Sequence, residues 1–234
     1  MRAPIVLAHR GNLRGPNRAA ENSVAAVAGA LRRGWGVELD IRRAADGCFY
    51  VPHDPRPTAD GALADDLFAI LRGHPDATVA LNVKELGYEE ALVEYLHEQG
   101  VVSQSFLFDM ELVEPCPGES ARVFRRCDPS VRLAARVSDR GEPLDRALAI
   151  GAASIIWLDE FDDFWCTEAD VRRLKDEGRT IYAVSPDLHG FPAADTRRRW
   201  VQFAEWGVDG ICTDYAAALD CVLGEAEAAG RCGR

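Results

Sequence analysis

The chain has 234 residues, of which 47% are hydrophobic, and this length suits either two small domains or one large α/β barrel. Its formal net charge of −11 argues against a nucleic-acid-binding surface, because phosphate backbones require clustered lysine and arginine. An anionic substrate would therefore have to meet a local positive pocket.

Short apolar runs alternate with amphipathic segments along the chain. The runs predict eight strands, at 4–9, 36–41, 78–84, 105–110, 131–138, 154–159, 180–187 and 209–214. Apolar residues fill most positions of each run, which is typical of parallel strands covered on both faces. Helices are predicted at 21–33, 88–99, 167–177, 195–206 and 216–229, whereas 111–130 is expected to be irregular because Pro115 and Pro117 interrupt it.

Eight β/α units predict an α/β fold, a closed (β/α)₈ TIM barrel that forms a single domain over residues 1–234. A doubly wound open sheet is the alternative. A short β excursion is expected after the second strand, where 46–54 combines a turn, a short strand and His53-Asp54. A barrel carries its functional side chains at the carboxyl ends of the strands, and polar residues occur at those positions in this sequence.

Two carboxylates lie close together in the second predicted strand. Glu38 and Asp40 are two residues apart, so both point to the same side of the strand, which in a barrel is the interior. Two buried carboxylates raise each other's pKa unless a cation is present, and a divalent ion, Mg²⁺ or Ca²⁺, is the expected partner. The alternative is that one carboxylate pairs with Arg10 or Lys84.

The third predicted strand places Asn82 and Lys84 on its inward side by the same spacing. Asn82 offers a carbonyl oxygen to the ion, and Lys84 offers a point charge to a phosphate group. Neutralisation of Glu38 or Asp40 is an alternative role for Lys84, and the two roles are compatible.

Two histidines complete the predicted site. His9 ends the first strand beside Arg10, and His53 joins the same mouth if the excursion after the second strand folds back over it. Two imidazoles flanking a metal-bound anion are suited to general acid–base catalysis, because histidine gains and loses a proton near neutral pH.

Five spaced elements resemble the N-terminal half of the glycerophosphodiester phosphodiesterase family, within the superfamily of PI-phospholipase-C-like phosphodiesterases. They are the His-Arg-Gly of AHRGN, the Glu-Asn of ENS, the Glu-x-Asp and Asp-Gly of VELDIRRAADG, and the His-Asp of VPHD. All five occur in the family's order. The resemblance implies a (β/α)₈ barrel and a divalent-metal-assisted cleavage of phosphodiesters.

The resemblance also implies a role for each matching residue. His9 and His53 would form the acid–base pair, and Arg10 would hold the phosphoryl group. Glu38 and Asp40 would bind the metal ion. Lys84 would help to neutralise the phosphate, and Glu21 would order the site.

One position departs from the family pattern. The family places a third metal-binding carboxylate two residues before the strand-three lysine, where this chain has Asn82. Loss of a negative ligand weakens the hold on a divalent cation. Either Asp109 or water completes the metal shell, or the metal binds only together with the substrate phosphate. A change of substrate or of reaction would also be consistent with this departure.

The C-terminal half resembles a little-characterised branch of the same superfamily. The segments that carry this resemblance are FLFDM, IIWLDEF and VSPDLHG. They add a set of expected supporting or pocket residues around the mouth: Asp109, Trp157, Asp159, Ser185, Asp187 and His189. A purely structural role is an alternative for His189 and for the tryptophan.

The sequence therefore predicts an enzyme, a metal-assisted phosphoric diester hydrolase acting on a small polar phosphodiester. If the attacking oxygen belongs to the substrate, a cyclic phosphate forms first, so a cyclising lyase on the same site is an alternative. The same residues are also compatible with sugar isomerisation or aldol chemistry, and with a degenerate barrel that binds a phosphorylated ligand without turnover. The sequence leaves the alcohol groups, the assignment of acid and base, and the oligomeric state open.

The cysteines and the hydropathy predict the setting. Seven cysteines are scattered without a close pair at metal-ligand spacing, which favours a reduced, cytoplasmic protein. No signal-peptide pattern and no apolar run of membrane-spanning length is found, so we expect no stable membrane anchor. The expected partner is the small-molecule phosphodiester, not a nucleic acid.

Overall fold

The computed structural model of the protein describes residues 3–55 and 63–232, in which strands and helices alternate. Every predicted strand is present. The strands are β1 (Ile5–His9), β2 (Gly36–Arg43), β3 (Phe49–Tyr50), β4 (Val79–Val83), β5 (Ser105–Phe108), β6 (Arg132–Val137), β7 (Ile155–Leu158), β8 (Thr180–Val184) and β9 (Gly210–Thr213).

The helices cover the outside of the sheet. They are α1 (Val24–Leu31), α2 (Ala64–Leu71), α3 (Glu89–Glu98), α4 (Glu119–Cys127), α5 (Leu144–Ala149), α6 (Glu168–Asp176), α7 (Ala193–Trp206) and α8 (Ala216–Cys232). Short 3₁₀ helices occupy Val102–Gln104, Met110–Leu112 and Pro186–His189. Among these described helices, none has the length and apolar character needed to cross a membrane.

Eight of the strands close into a ring. The hydrogen-bonded order is β1-β9-β8-β7-β6-β5-β4-β2, and β1 pairs with β2 in parallel, with His9 opposite Glu38. All pairings within the ring are parallel, and β3 pairs with β2 in the antiparallel direction outside it. The predicted (β/α)₈ barrel and the short excursion after the second strand are both confirmed, and the described strands do not form the open sheet.

The barrel interior is a packed apolar plug beneath its polar end. The inward side chains of this plug are Leu7, Ala80, Phe106, Phe108, Ala134, Ile155, Trp157, Tyr182, Val184 and Cys212. The rings of Phe108 and Trp157 stack at 4.0 Å, and those of Phe106 and Tyr182 at 4.8 Å. A second, larger core fills the space between the outward faces of the strands and the helices.

Two glycines allow this plug to pack at the amino ends of the strands. A Cβ on Gly36 would lie 2.4 Å from the carbonyl oxygen of Thr78 and 2.5 Å from Leu7 Cδ2. A Cβ on Gly210 would lie 2.6 Å from the ring of Tyr182. Both positions therefore require glycine for close approach of backbone and side chains rather than for an unusual backbone conformation.

The helix prediction was incomplete at α2, α4 and α5. α4 begins after both prolines, and its first turn is capped from outside, because the Glu114 carboxylate accepts the backbone N–H groups of Gly118 and Ser120 at 2.5 and 2.7 Å. Of the six residues that form α5, only Ala147 is fully buried, so its apolar periodicity is weak. In α2 the buried set Leu67, Phe68 and Leu71 is a helical spacing that the prediction omits.

Candidate active site

The carboxyl ends of the strands are here called the barrel mouth. The polar residues of the site occupy the next inward-facing positions there, after the apolar residues that face inward along each strand. Within a strand, several of these polar side chains stand two residues after a member of the apolar plug. His9 follows Leu7, Asn82 follows Ala80, and the same spacing gives Arg136 after Ala134 and Asp214 after Cys212. The sequence spacing therefore fixes which side chains share the mouth.

His9 is held at the mouth by a carboxylate on the neighbouring strand end. Its Nδ1 lies 2.7 Å from Asp214 Oδ1, an oxygen that also accepts a hydrogen bond of 2.8 Å from Asn12 Nδ2. Its Nε2 faces Glu38 Oε2 at 3.8 Å. Burial disfavours the protonated ring, but the hydrogen bond to Asp214 and the charge of Glu38 outweigh it, so the pKa of His9 is raised.

Arg10 crosses the mouth towards two acidic residues. Its backbone is in the left-handed region, with φ of 49°, a conformation that a long side chain rarely adopts. Its Nε lies 3.2 Å from Asp40 Oδ2, and its Nη1 donates to Glu21 Oε2 at 3.2 Å. The guanidinium thus connects the buried Asp40 of β2 to Glu21, which precedes α1.

Glu38 and Asp40 both lie in the interior as the spacing predicts, but their surroundings differ. Asp40 is fully buried and contacts both cations, Arg10 and, at 2.9 Å, Lys84 Nζ. Glu38 is 2% exposed and, among the described residues, contacts no cation this closely. Burial and the charge of Asp40 raise the pKa of Glu38 to about 7, against the opposing charges of His9, Lys84 and Arg10. The pairing alternative is therefore realised at Asp40.

Asn82 stands beside Asp40 in the register of β2 and β4. It is 8% exposed, its Nδ2 donates to Asp109 Oδ2 at 2.8 Å, and its Oδ1 is buried without a hydrogen-bond partner in the described part of the chain. An unsatisfied buried acceptor is costly and calls for a donor or a cation. Asn82 Oδ1 is therefore a buried acceptor at the mouth that is available to a donor or a cation.

The oxygen donors Glu38, Asp40 and Asn82 Oδ1 fit a hard divalent cation in donor type. Within residues 3–55 and 63–232, no three side chains of the types His, Cys, Asp and Glu cluster so as to hold a metal ion. The third oxygen donor on this face is the amide of Asn82, so a metal bound at this point would have two carboxylates and one neutral protein ligand.

A second group of charges occupies the opposite half of the mouth, centred on Arg136. This guanidinium is 3% exposed and contacts three buried carboxylates: Asp109, Glu142 at 3.2 Å and Asp159 at 3.3 Å. Asp159 Oδ1 lies 2.6 Å from His189 Nε2, so two of the residues expected near the mouth are in contact. Burial raises the pKa of Asp109 even though Arg136 acts in the opposite direction.

Ser185 and Asp187, directly after β8, form hydrogen bonds that hold the backbone of Asp214 in place. The Ser185 hydroxyl donates to Asp187 and accepts from Trp200 Nε1 at 2.6 Å. Asp187 Oδ2 accepts the backbone N–H of Asp214 at 3.0 Å, which fixes the residue that holds His9. Trp157, also predicted near the pocket, is 3% exposed and lies in the apolar plug.

His53 lies apart from these contacts in the described residues. Its ring is 49% exposed and its Nδ1 lies 2.9 Å from Asp54 Oδ1, while its carbonyl oxygen accepts from Arg42 Nε at 2.9 Å. His53 lowers the pKa of Asp54 through its hydrogen bond and its charge. The assignment of His53 to the acid–base pair stays a prediction.

Several residues that organise the mouth had no role assigned to them from the sequence. Asp214 and Arg136 were expected at strand ends, and the two-residue spacing from the apolar plug was the available signal for both. Asn12, Asn22 and Glu142 lie in loops or helix-flanking segments, and only the tertiary contacts reveal them: Asn22 Nδ2, for example, donates to Asp40 Oδ2 at 3.3 Å.

Glu111 is a partly buried acid whose charge makes the protein less stable at neutral pH. Its Oε1 accepts the backbone N–H of Arg136 at 2.9 Å, and its Oε2 is buried without a hydrogen-bond partner among the described residues. Burial raises the pKa of Glu111 to about 7 from an ordinary 4.5, although the backbone N–H groups of Arg136 and Glu111 act in the opposite direction. The native state therefore binds this proton more tightly than the unfolded state.

Glu111→Gln is expected to stabilise the protein selectively at high pH. As pH rises from about 4.5 to about 7, the wild-type protein loses the stability that it has with Glu111 protonated. Glutamine does not titrate, so the variant does not lose it. The difference in free energy of unfolding between variant and wild type should be about 2 kcal/mol larger at pH 8 than at pH 4.5. Urea titrations at both pH values measure it, with exposed Glu94→Gln on α3 as control. A difference that does not change with pH would contradict the prediction.

Comparison with known proteins relates the fold to solved structures. No protein-family model and no curated protein sequence matches the chain. A glycerophosphodiester phosphodiesterase from Agrobacterium tumefaciens is similar in structure, with a TM-score of 0.66 and 20% identity over 94% of this chain and 99% of that one. A putative glycerophosphodiester phosphodiesterase from Galdieria sulphuraria has a TM-score of 0.75 and 17% identity over 96% of this chain and 100% of that one.

A third similar structure contains a ligand. It is a phosphodiesterase from Oleispira antarctica in complex with the product sn-glycerol-3-phosphate, with a TM-score of 0.70 and 16% identity over 95% of this chain and 97% of that one. At these levels of identity the comparisons establish the barrel fold, and function has to be argued from the side chains at the mouth.

Proposed function

We propose that the protein is a phosphodiesterase that cleaves a small polar phosphodiester of the glycerophosphodiester type, assisted by a divalent cation. The observation that carries the proposal is the grouping of His9, Arg10 and Lys84 around the buried carboxylates Glu38 and Asp40 at one barrel mouth. The similar structures described as glycerophosphodiester phosphodiesterases support the same class of substrate.

Arg10 and Lys84 would bind the phosphate of the substrate. Their side chains are 20% and 18% exposed, so both can reach a ligand in the mouth while they contact Asp40. In a chain with a net charge of −11, two cations at one point provide the local attraction that an anionic substrate needs. The guanidinium and the ammonium would hold the non-bridging oxygens of the phosphate.

Glu38, Asp40 and the Oδ1 of Asn82 would hold the divalent cation, Mg²⁺ or Ca²⁺. When bound, the ion supplies Lewis-acid polarisation of a phosphoryl oxygen and offsets the charge of the two carboxylates. The unsatisfied oxygen of Asn82 and the closeness of two buried acids support this assignment.

His9 would move a proton at its Nε2 atom. Asp214 occupies Nδ1, which orients the ring and leaves Nε2 directed into the mouth. His53 would be the second proton-transfer group, so that one imidazole deprotonates the attacking oxygen and the other protonates the leaving alkoxide. Attack by water gives a phosphomonoester directly, and attack by a hydroxyl of the substrate gives a cyclic phosphate.

A panel of glycerophosphodiesters tests the proposal. The purified protein, with Mg²⁺ or Ca²⁺ and then with a chelator, is incubated with glycerophosphocholine, glycerophosphoethanolamine, glycerophosphoinositol and bis(glycero)phosphate, and products are identified by ³¹P NMR. We expect turnover that is lost on chelation and restored by the ion. A cyclic phosphate as the final product would identify the lyase. Tight binding without turnover under either ion would contradict the proposal and favour a ligand-binding barrel.

A further inference from the structure

The orientation of the Asn82 amide has an identifiable cause. An amide presents a donor on one side and an acceptor on the other, and either orientation fits the same space. In this protein Nδ2 donates to Asp109, which follows β5, and on the other side of β4 Asn82 stands in register with Asp40 of β2. The side chain is more than nine-tenths buried, and Oδ1 has no hydrogen-bond partner among the described residues, so no donor there sets the orientation.

Asp109 imposes this orientation because an ionised carboxylate only accepts hydrogen bonds. Both of its oxygens are occupied: Arg136 Nη1 donates to Oδ1, and Asn82 Nδ2 donates to Oδ2 at 2.8 Å. The backbone of Asp109 is in the left-handed region, with φ of 70°, which aims the carboxylate at the next strand. Arg136, Asp109 and Asn82 therefore form a hydrogen-bond network at the ends of three neighbouring strands, in which both neighbours donate to Asp109.

We propose that Asp109 is a positioning residue for the cation and not one of its ligands. By accepting from Nδ2, it turns the oxygen of Asn82 towards Glu38 and Asp40, so that the neutral side chain acts as the third oxygen donor. The inference rests on the metal site of the proposed function. It also accounts for the missing third carboxylate on β4, because the negative charge stands one strand away and acts through the amide.

Asp109→Asn distinguishes this role from a ligand role. Arg136 still requires an oxygen, so the new amide at position 109 presents its oxygen to Arg136 and its NH₂ group to Asn82. Asn82 must then offer its oxygen to that NH₂ group and turn its own NH₂ group into the mouth. Asparagine tolerates the left-handed backbone at this position at least as well as aspartate, so the fold should be retained.

Isothermal titration calorimetry at pH 8 with Mg²⁺ and Ca²⁺ alone, and separately with inorganic phosphate, measures the effect. We expect Asp109→Asn to weaken metal affinity by about 10–100-fold, the range found when a residue that orients a metal ligand is changed. Phosphate affinity should stay equal or become tighter, because the rotated amide now donates into the mouth. A purely structural role would weaken both.

The exchange variant Asn82→Asp/Asp109→Asn provides the second test of the inference. It keeps the wild-type charge and moves the carboxylate onto β4, where it accepts from the new amide at position 109 while that amide's oxygen accepts from Arg136. We expect its metal affinity to return to the wild-type value or exceed it. Asp159→Asn removes one charge from the same Arg136 without touching Asn82, and should weaken metal binding less than Asp109→Asn does.

The outcomes separate the inference from the function on which it rests. If the wild-type protein binds neither ion, the metal part of the proposed function and the inference both fail. If the wild type binds the ion and Asp109→Asn binds it equally well, or if Asp159→Asn weakens binding as much, only the inference fails. Failure of the exchange variant to recover affinity relative to Asp109→Asn would also overturn it.

Discussion

Replacement of His9 by alanine is expected to lower kcat/KM for a glycerophosphodiester by about 10²–10⁴-fold, the usual contribution of a general acid or base. The ring lies between Asp214 and Glu38, so its loss leaves two carboxylates and no imidazole at that point. Loss of the imidazole should also remove one limb of the pH–rate profile. Steady-state rates from pH 5 to 9 at saturating metal measure both effects.

His97→Ala is the matched control for this prediction. His97 lies on the exposed face of α3, where its Nε2 contacts Asp128 at 2.6 Å, and it belongs to the outer surface of the barrel. The control should retain wild-type kinetics and a wild-type pH profile. If His9→Ala turned over the substrate at the wild-type rate while remaining folded, the assignment of His9 to proton transfer would be wrong. Comparison with His53→Ala then tests whether the exposed histidine contributes.

The barrel and the inward direction of the candidate residues follow from local periodicity alone. An apolar residue followed two positions later by a polar one, as in Leu7-x-His9 or Ala80-x-Asn82, places the polar side chain above the plug whenever the strand is part of a closed barrel. That rule needs no knowledge of neighbouring strands. It is the reason that the inward direction of His9 and Asn82 was predictable, whereas the strand count was predicted from the eight apolar runs.

The sequence offered Arg10 and Lys84 as partners for the carboxylates of β2, but it did not fix which carboxylate they contact, because that depends on contacts between distant segments. Asp40 contacts two cations, whereas Glu38 has none at comparable distance in the described part of the chain, although the two residues are neighbours on the same strand. The difference arises because Arg10, directly after β1, and Lys84, directly after β4, both place their charged groups against Asp40. No spacing rule within one strand contains that information.

The loop residues show the same limit. The sequence places His53 after the second strand but does not fix the path of the excursion, and in the structure its nearest ionic partner is Asp54. Short helices such as α5 are also hard to predict, since one buried alanine gives little periodicity to detect. In both cases the conformation is decided by tertiary packing, not by local preference.

Arg136 is the residue whose removal should cost the most stability. Its guanidinium is the cation shared by Asp109, Glu142 and Asp159, all of which are buried. Truncating one member of a buried ionic group removes the charge that compensates its partners, at a cost of about 3–5 kcal/mol, although Glu142 keeps its contact with Arg146 and Asp159 its contact with His189. Arg136→Met, which retains much of the side-chain volume without the charge, is therefore expected to lower the free energy of unfolding by that amount at pH 8.

The pH dependence gives this last prediction its sign. Without Arg136 the pKa of Asp109, which burial already raises, should rise further above its value in the unfolded chain. The native state then binds this proton more tightly, and the deficit should grow as pH rises from 5 to 8. Arg140→Met is the control: its guanidinium contacts Asp162 at an exposed site, where such pairs contribute less than about 1 kcal/mol. Urea unfolding at both pH values compares the two. An Arg136→Met deficit no larger than that of the control, or one that shrinks at high pH, would mean that the three acids do not depend on this cation.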